Sequence, residues 1–137
     1  TDELFSAALG RGATLNGVPI AVSGATVLAQ ALVGTGFAYR ADIRREQASA
    51  VSNLIGVVRD IRRLGSAAVD LCYVAAGRLD VYYEEHLNSW DAAAGELIAR
   101  EAGAVTSDYA GSHPRFGQLV AATPAIHTAF LAALRNS

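Results

Sequence analysis

The chain has 137 residues, 52% hydrophobic and 18% charged, with a net charge of -2 and a pI near 5.8. That length suits a single domain. No apolar run approaches the roughly 20 residues of a membrane span, and no basic patch marks a nucleic-acid footprint, so neither a membrane nor a nucleic acid is an expected partner. The apolar excess lies in Ala, Val and Gly, which predicts close helix packing and a surface meant for another domain or subunit.

The chain opens with "TDELFSAALG", which lacks a basic segment followed by an apolar one. No secretory signal is read there, and a cytoplasmic setting is expected. Residues 3–22 read as strand material broken at Gly10–Gly12 and at Asn16–Gly17, the strongest two-residue hairpin signal. Pro19 has no N–H for a ladder and predicts an edge strand. "ALVGTGF", residues 31–37, predicts a buried strand running into a loop. A helix is expected from Arg44 to Arg59, with Ala48, Val51, Ile55 and Val58 on its buried face. "IRRL", 61–64, reads as a short strand.

Gly65–Ser66 opens the next helix with Ser66 as its cap, and Gly77 closes it. Its one thiol, Cys72, is the only cysteine of the chain, so an internal disulfide is excluded. The apolar neighbours "VDLCYVAAG" predict a buried, inert thiol. "RLDVYYE", 78–84, predicts a strand, "EHLNS", 85–89, a loop, and "WDAAAGELIAREAG", 90–103, a helix with Glu96 and Arg100 paired four residues apart. "AVTSDYAG" gives a short strand and a turn, and "QLVAATP" a last strand. Thr123 then caps a helix with Pro124 at its first position and a buried stripe of Ile126, Phe130, Ala133 and Leu134. Strands and helices alternate, so the fold class is α/β, a layered sheet with flanking helices, in one unit over residues 1–137.

Several chemistries find no support. The glycines of "GATLNG" and "GTG" lack the dinucleotide fingerprint, and no P-loop, HExxH or paired CxxC is present. The serines beside glycine lack the G-x-S-x-G elbow. His86, His113 and His127 are scattered without ligand spacing, and His127 is expected to face solvent. The acids around Trp90 remain. Glu84, Glu85 and Asp91 flank one connection between a strand and a helix, where α/β proteins place ligands. Asp91 at a helix start has two readings. As a cap and partner of the helix dipole it is worth ~0.3–1 kcal/mol. As a hard-cation ligand it would suit Mg²⁺, which takes one or two carboxylates and completes its shell with water and phosphate oxygens.

Three blocks resemble the inositol monophosphatase family, in the family's order. "GRGATLNGVPIAVS", 10–23, is similar to its G-x-G-A-x-x-N-G-x-P-I-x-V-S hairpin, and "RRLGSAAVDLCYVAAGRLDVYYE", 62–84, to its R-x-x-G-S-A-A-x-D-L-x-x-V-A-A-G-x-x-D-x-Y-x-E block. "WDAAAGELIAREAG" resembles W-D-x-A-A-G-x-x-I-x-x-E-A-G. The resemblance covers nearly the whole chain. It implies the carboxyl-terminal domain of the sugar phosphatase fold and Mg²⁺-dependent hydrolysis of a small phosphomonoester. It makes Asp91 a metal ligand, Glu84 the holder of substrate hydroxyls, and Gly65, Ser66 and Ala67 the pocket wall. A small phosphorylated polyol is the implied substrate and a homodimer the implied assembly.

The chain departs from the family pattern at Asn88, where some members carry His; Asn88 would still hydrogen-bond a sugar hydroxyl. The family's D-P-x-D-G-T motif occurs nowhere here, and neither does its upstream E-E metal site, so the resemblance is to a carboxyl-terminal half, with no catalytic residue of its own and expected to be inactive alone. Inositol phosphates are the default substrates. Fructose 1,6-bisphosphate, 3'-phosphoadenosine 5'-phosphate and histidinol phosphate, which relatives handle, are alternatives, as is a non-catalytic role in a transcription complex.

Overall fold

In this computed structural model, residues 2–114 and 117–135 are described. A seven-residue strand organises them. β6 (Val81–Leu87) runs parallel to β4 (Leu32–Thr35) on one side and antiparallel to β8 (Gly117–Ala122) on the other, with β5 (Asp60–Arg62) and β7 (Val105–Ser107) at the edges. The order β5-β4-β6-β8-β7 gives a mixed sheet. Its two faces are separated by strand alternation. Val33, Val81, Tyr83, Val120 and Ala122 meet α1 (Ala41–Leu54) and α4 (Pro124–Arg135) through Leu54, Ile126, Phe130 and Leu134. On the other face Tyr82, Leu119 and Ala121 meet α2 (Ala67–Ala75) and α3 (Ser89–Glu101) through Leu71, Val74 and Ala99. A second sheet of β1 (Phe5–Ala7), β2 (Ala13–Leu15) and β3 (Val18–Ile20) packs against α3 through Phe5, Ala13, Ile20, Ile98 and Ala102. The expected α/β layering is the observed one.

The hairpin forms where Asn-Gly predicts it. Asn16 and Gly17 take φ of 51° and 81°, as a tight turn between twisted strands demands, and Pro19 lies on the edge strand β3. The Glu101 carboxylate ties this sheet to the end of α3 by accepting the N–H groups of Gly10 at 3.0 Å and Gly12 at 2.8 Å. Asp80 fixes the start of β6: its carboxylate accepts Leu32 N–H at 2.7 Å and the Ser23 hydroxyl at 2.5 Å.

Four expectations change. α1 begins three residues before Arg44 and ends at Leu54, with its buried face on Gln47 and Leu54; Ala48 is exposed and Ile55 is 54% exposed. The face was mispredicted because a polar residue occupies it: the Gln47 side-chain oxygen accepts Ala38 N–H at 2.9 Å, which offsets its burial. The expected loop 85–89 is largely strand, since β6 continues to Leu87 through a bulge where His86 takes a φ of 67°. Thr123 precedes α4, but its hydroxyl bonds Ser23 at 2.9 Å and its carbonyl accepts Ile126 N–H. In α4 Leu131 joins the buried stripe and Ala133 is only partly buried. Cys72 is half-buried where a buried thiol was expected, and burial pushes its thiol pKa up, which lowers the share of reactive thiolate.

α2 and α3 pack against each other at Gly95, where an added Cβ would lie 2.9 Å from both Cβ and Cδ1 of Leu71. Gly95→Ala sets two effects against each other. Helix propensity favours alanine by roughly 1 kcal/mol, whereas overpacking against Leu71 costs about 1–3 kcal/mol, because a Cβ atom cannot swing aside. The expected net result is a loss of stability, seen as a lower urea midpoint at unchanged m-value. A higher midpoint would show that the helices separate freely.

Candidate functional site: a hollow at two helix starts

α2 and α3 both begin on the same side of the sheet, beside the segment that follows β4. Between them lies an open hollow of about 560 Å³. Gly65, Ser66 and Ala67 line it from the start of α2, Trp90 and Asp91 from the start of α3, Glu84 from β6, and Gly36, Phe37 and Arg63 from the connections. Five of the seven residues singled out in the sequence, Gly65, Ser66, Ala67, Glu84 and Asp91, thus share one hollow. Glu85 does not line it; its Oε2 accepts Gln118 Nε2–H at 3.0 Å. Asn88 lies apart: it lines a separate hollow of about 220 Å³ with Leu87, Glu96, His113 and Gln118.

Local sequence explains each placement. Ser66 caps α2, its hydroxyl accepting Val69 N–H at 3.3 Å, so the first N–H groups of that helix open toward the hollow. Asp91 is the third residue of α3 and reaches back to Asn88 N–H with Oδ2 at 3.4 Å, while its own N–H bonds the Asn88 carbonyl at 3.0 Å. The cap therefore uses one carboxylate oxygen weakly and leaves the other without a hydrogen bond. Trp90 is 76% exposed beside it.

Glu84 is in a different state. Burial holds its carboxyl above the usual range; the Tyr82 hydrogen bond and the Arg63 charge pull it back, and the Asp91 charge pushes it up again. The Tyr82 hydroxyl donates to Glu84 Oε1 at 2.6 Å, and burial, then the Glu84 charge, raises the phenol far above its ordinary value. Arg63 lies over the Phe37 ring at 5.8 Å from its centroid, and Arg44 lies over the same ring at 5.5 Å. One cation and two acids thus share a partly desolvated space.

A third acid stands behind them and was not singled out in the sequence. Asp70 is 1% exposed, and its Oδ1 has no hydrogen-bond partner. Burial first, and the Glu84 charge second, raise its carboxyl to about 7. The available signal was a lone acid in the apolar run "AAVDLCYVAA". The histidines contribute nothing here. His86 and His113 are exposed. His127 does not face solvent as expected: it lies 2.7 Å from Ser107 Oγ, and burial lowers its pKa. The Ser107 hydroxyl donates to the Asp108 carbonyl at 2.8 Å, so His127 Nε2 carries the proton between them.

As a donor set for a hard cation, the hollow offers the unengaged oxygen of Asp91 and the nearby Glu84. Among the described residues no three His, Cys, Asp or Glu side chains converge. That fits a corner of a Mg²⁺ site completed by water and phosphate oxygens, not a cage built by this chain.

A mixed sheet between helix layers, with acids gathered at two helix starts, defines an α/β protein with a polar site outside the ends of its strands. Residues 1–137 match the inositol monophosphatase family throughout, and the chain belongs to that family. It is 47% identical to the inositol-1-monophosphatase SuhB of Mycobacterium tuberculosis H37Rv over 97% of this chain and 48% of that protein. It is 43% identical to the Nus factor SuhB of Escherichia coli K12 over 98% of this chain and 52% of that protein. The inositol monophosphatase structure from Anabaena superposes with a TM-score of 0.91 at 39% identity, over 97% of this chain and 54% of the other. The chain thus spans about half the length of the curated relatives it matches. No helix among the described residues is long and apolar enough to cross a membrane.

Asp70 makes stability depend on pH with a definite sign. Its folded pKa, about 7, lies above the ordinary carboxylate value. The stability tied to its neutral form is fully present below pH ~4 and is lost as pH rises through 7, a few kcal/mol in all. Asp70→Asn mimics the neutral form and should flatten that dependence. Urea unfolding at pH 4.5 and pH 8 should show the variant more stable than wild type only at the higher pH. Parallel curves for the two proteins would remove Asp70 as the titrating group.

Proposed function

We propose that this chain is the carboxyl-terminal half, folded as one unit over residues 1–137, of a Mg²⁺-dependent phosphatase acting on small phosphomonoesters. Inositol monophosphate is the first substrate to test. The observation that carries the reading is the pairing of an exposed Asp91, one oxygen unengaged, with a half-buried Glu84 across one hollow at two helix starts. The inositol-1-monophosphatase name carried by a relative at 47% identity supports it.

In this reading Asp91 holds the metal. Bound Mg²⁺ supplies the charge that activates water and neutralises the leaving oxygen. The chain's own residues do the rest. Glu84 accepts substrate hydroxyls, with Tyr82 fixing one of its oxygens. Gly65, Ser66 and Ala67 wall the pocket with a helix start whose free N–H groups favour phosphate oxygens. Arg63 adds a cation at the rim. Asn88, in its separate hollow, orients the start of α3 through its backbone, and a hydroxyl contact from it would need the substrate to reach around that helix. The remaining metal ligands come from the other half of the protein. A cytoplasmic homodimer is the proposed setting, on the strength of the family resemblance. Fructose 1,6-bisphosphate, 3'-phosphoadenosine 5'-phosphate and histidinol phosphate are the alternative substrates.

A second reading is a non-catalytic role in a transcription complex, favoured by the relatives at 43–44% identity named Nus factors. A full-length Asp91→Asn protein that keeps its cellular role while losing phosphatase activity would move the assignment there.

Asp91→Ala in the full-length protein tests the metal reading. Loss of the cap costs about 1 kcal/mol of stability. Loss of the ligand should cut Mg²⁺-dependent phosphate release by about two orders of magnitude or more, since the metal's charge is worth several kcal/mol in the transition state. A change in Tm with turnover intact would leave Asp91 a cap and nothing else. The isolated 137-residue chain should release no phosphate from inositol monophosphate above the buffer rate. Robust Mg²⁺-dependent release by the pure chain would sink the half-site assignment.

A further inference from the structure

The Gly34-Thr35-Gly36 segment has no dinucleotide fingerprint, and the proposed chemistry leaves it without a task. Thr35 turns toward the α1 and α4 face, where its hydroxyl donates to the Tyr83 carbonyl at 2.8 Å. The glycines on either side of it each make room for a carboxyl group. A Cβ on Gly34 would come 3.0 Å from Asp70 Oδ1. A Cβ on Gly36 would run into Glu84: its three nearest atoms all belong to that carboxylate, Oε1 first, then Cδ at 2.7 Å and Oε2 at 2.9 Å. Gly36 does not take a positive φ, so the backbone there accepts an alanine and the nearest obstacle is Glu84 itself.

Tyr82 closes the other side. Its ring is fully buried and its hydroxyl donates to Glu84 Oε1. The carboxylate is held between a phenol and the space of a missing side chain. We propose that Gly36 is a positioning residue for Glu84: the room left by its absent side chain is the seat that holds the Glu84 carboxylate at the edge of the hollow, ready to accept a substrate hydroxyl. The inference rests on the reading of Glu84 as the hydroxyl acceptor. A seated carboxylate has little rotamer freedom left to lose when substrate arrives, which favours binding without new contacts. A methyl group at position 36 takes the seat and frees the side chain.

The test compares Gly36→Ala, Glu84→Ala and the double variant in the full-length protein, with inositol monophosphate as substrate. Gly56→Ala, at a position where an added Cβ meets nothing within 4 Å, is the control. Gly36→Ala should raise KM about tenfold, the worth of a hydrogen bond to a charged group, with kcat within about twofold. Glu84→Ala should do at least as much, and the double variant should be no worse than Glu84→Ala, because Gly36 acts only through Glu84. Additive effects, or a KM unmoved by Gly36→Ala while Glu84→Ala raises it, overturn the proposal. A KM unmoved by Glu84→Ala overturns the reading of Glu84 instead. The crystal structure of Gly36→Ala then decides the seat: Glu84 displaced from Tyr82 supports it, and Glu84 still bonded to Tyr82 overturns it. If Gly36→Ala fails to fold, the double variant, whose seat is empty, should fold; failure of both overturns the proposal.

Discussion

How closely α2 approaches the sheet and α3 sets the geometry of everything at the hollow. Two glycines set that approach. Gly34 on β4 has no side chain to hold off Asp70 and Leu79, and Gly95 on α3 has none to hold off Leu71. With both contacts made, the Ser66 end of α2 lies beside the Asp91 end of α3, and the residues Gly65–Ala67 share a wall with Glu84. Larger residues at either position would move α2 outward and widen the hollow, because packed interiors have little slack. The apolar, small-residue composition of the chain is therefore the means by which polar groups are brought together.

Much of the fold could be read from local chemistry. The Asn16–Gly17 turn, the Ser66 cap, Gly77 closing α2 at a φ of 76° and the strand-helix alternation are statements about backbone conformation, and those survive tertiary packing. What could not be read follows from pairings distant in sequence. Gln47 hides on the buried face of α1 because a backbone N–H nine residues earlier needs it. β6 runs past Glu85 because β8, over thirty residues later, pairs with it through a bulge. His127 turns inward to meet Ser107 on the edge strand.

The candidate site was legible to a different degree. Asp91 announced itself by standing next to the only Trp at the head of an apolar helix, and Glu84 by ending a strand of aromatics. Nothing in the sequence marks Asp70 as their neighbour, because its closeness to Glu84 depends on α2 crossing Gly34. Nor does spacing separate Asn88 from the group. It precedes Asp91 by three residues, a spacing that shares a face within a helix, yet it lines another hollow, because as the N-cap of α3 it has extended backbone, φ -85° and ψ 149°, outside the helical turn.

The two readings of Asp91 are compatible, and the geometry shows why. A carboxylate has two oxygens, and the cap occupies only Oδ2, over a long 3.4 Å contact. A strong cap would have drawn both its charge and its orientation into the helix. This one holds the side chain at the first turn of α3 and leaves most of its charge directed outward. Glu84, by contrast, is partly desolvated and raised by its neighbours, so its charge is the costlier of the two to keep. A cationic group entering the hollow relieves that cost at both acids at once, whereas the single guanidinium of Arg63 is engaged over Phe37. The arrangement is thus short of positive charge. Under the proposed function, a divalent cation together with a polyol phosphate would supply charge for the two acids, hydroxyls for Glu84, and phosphate oxygens for the helix starts.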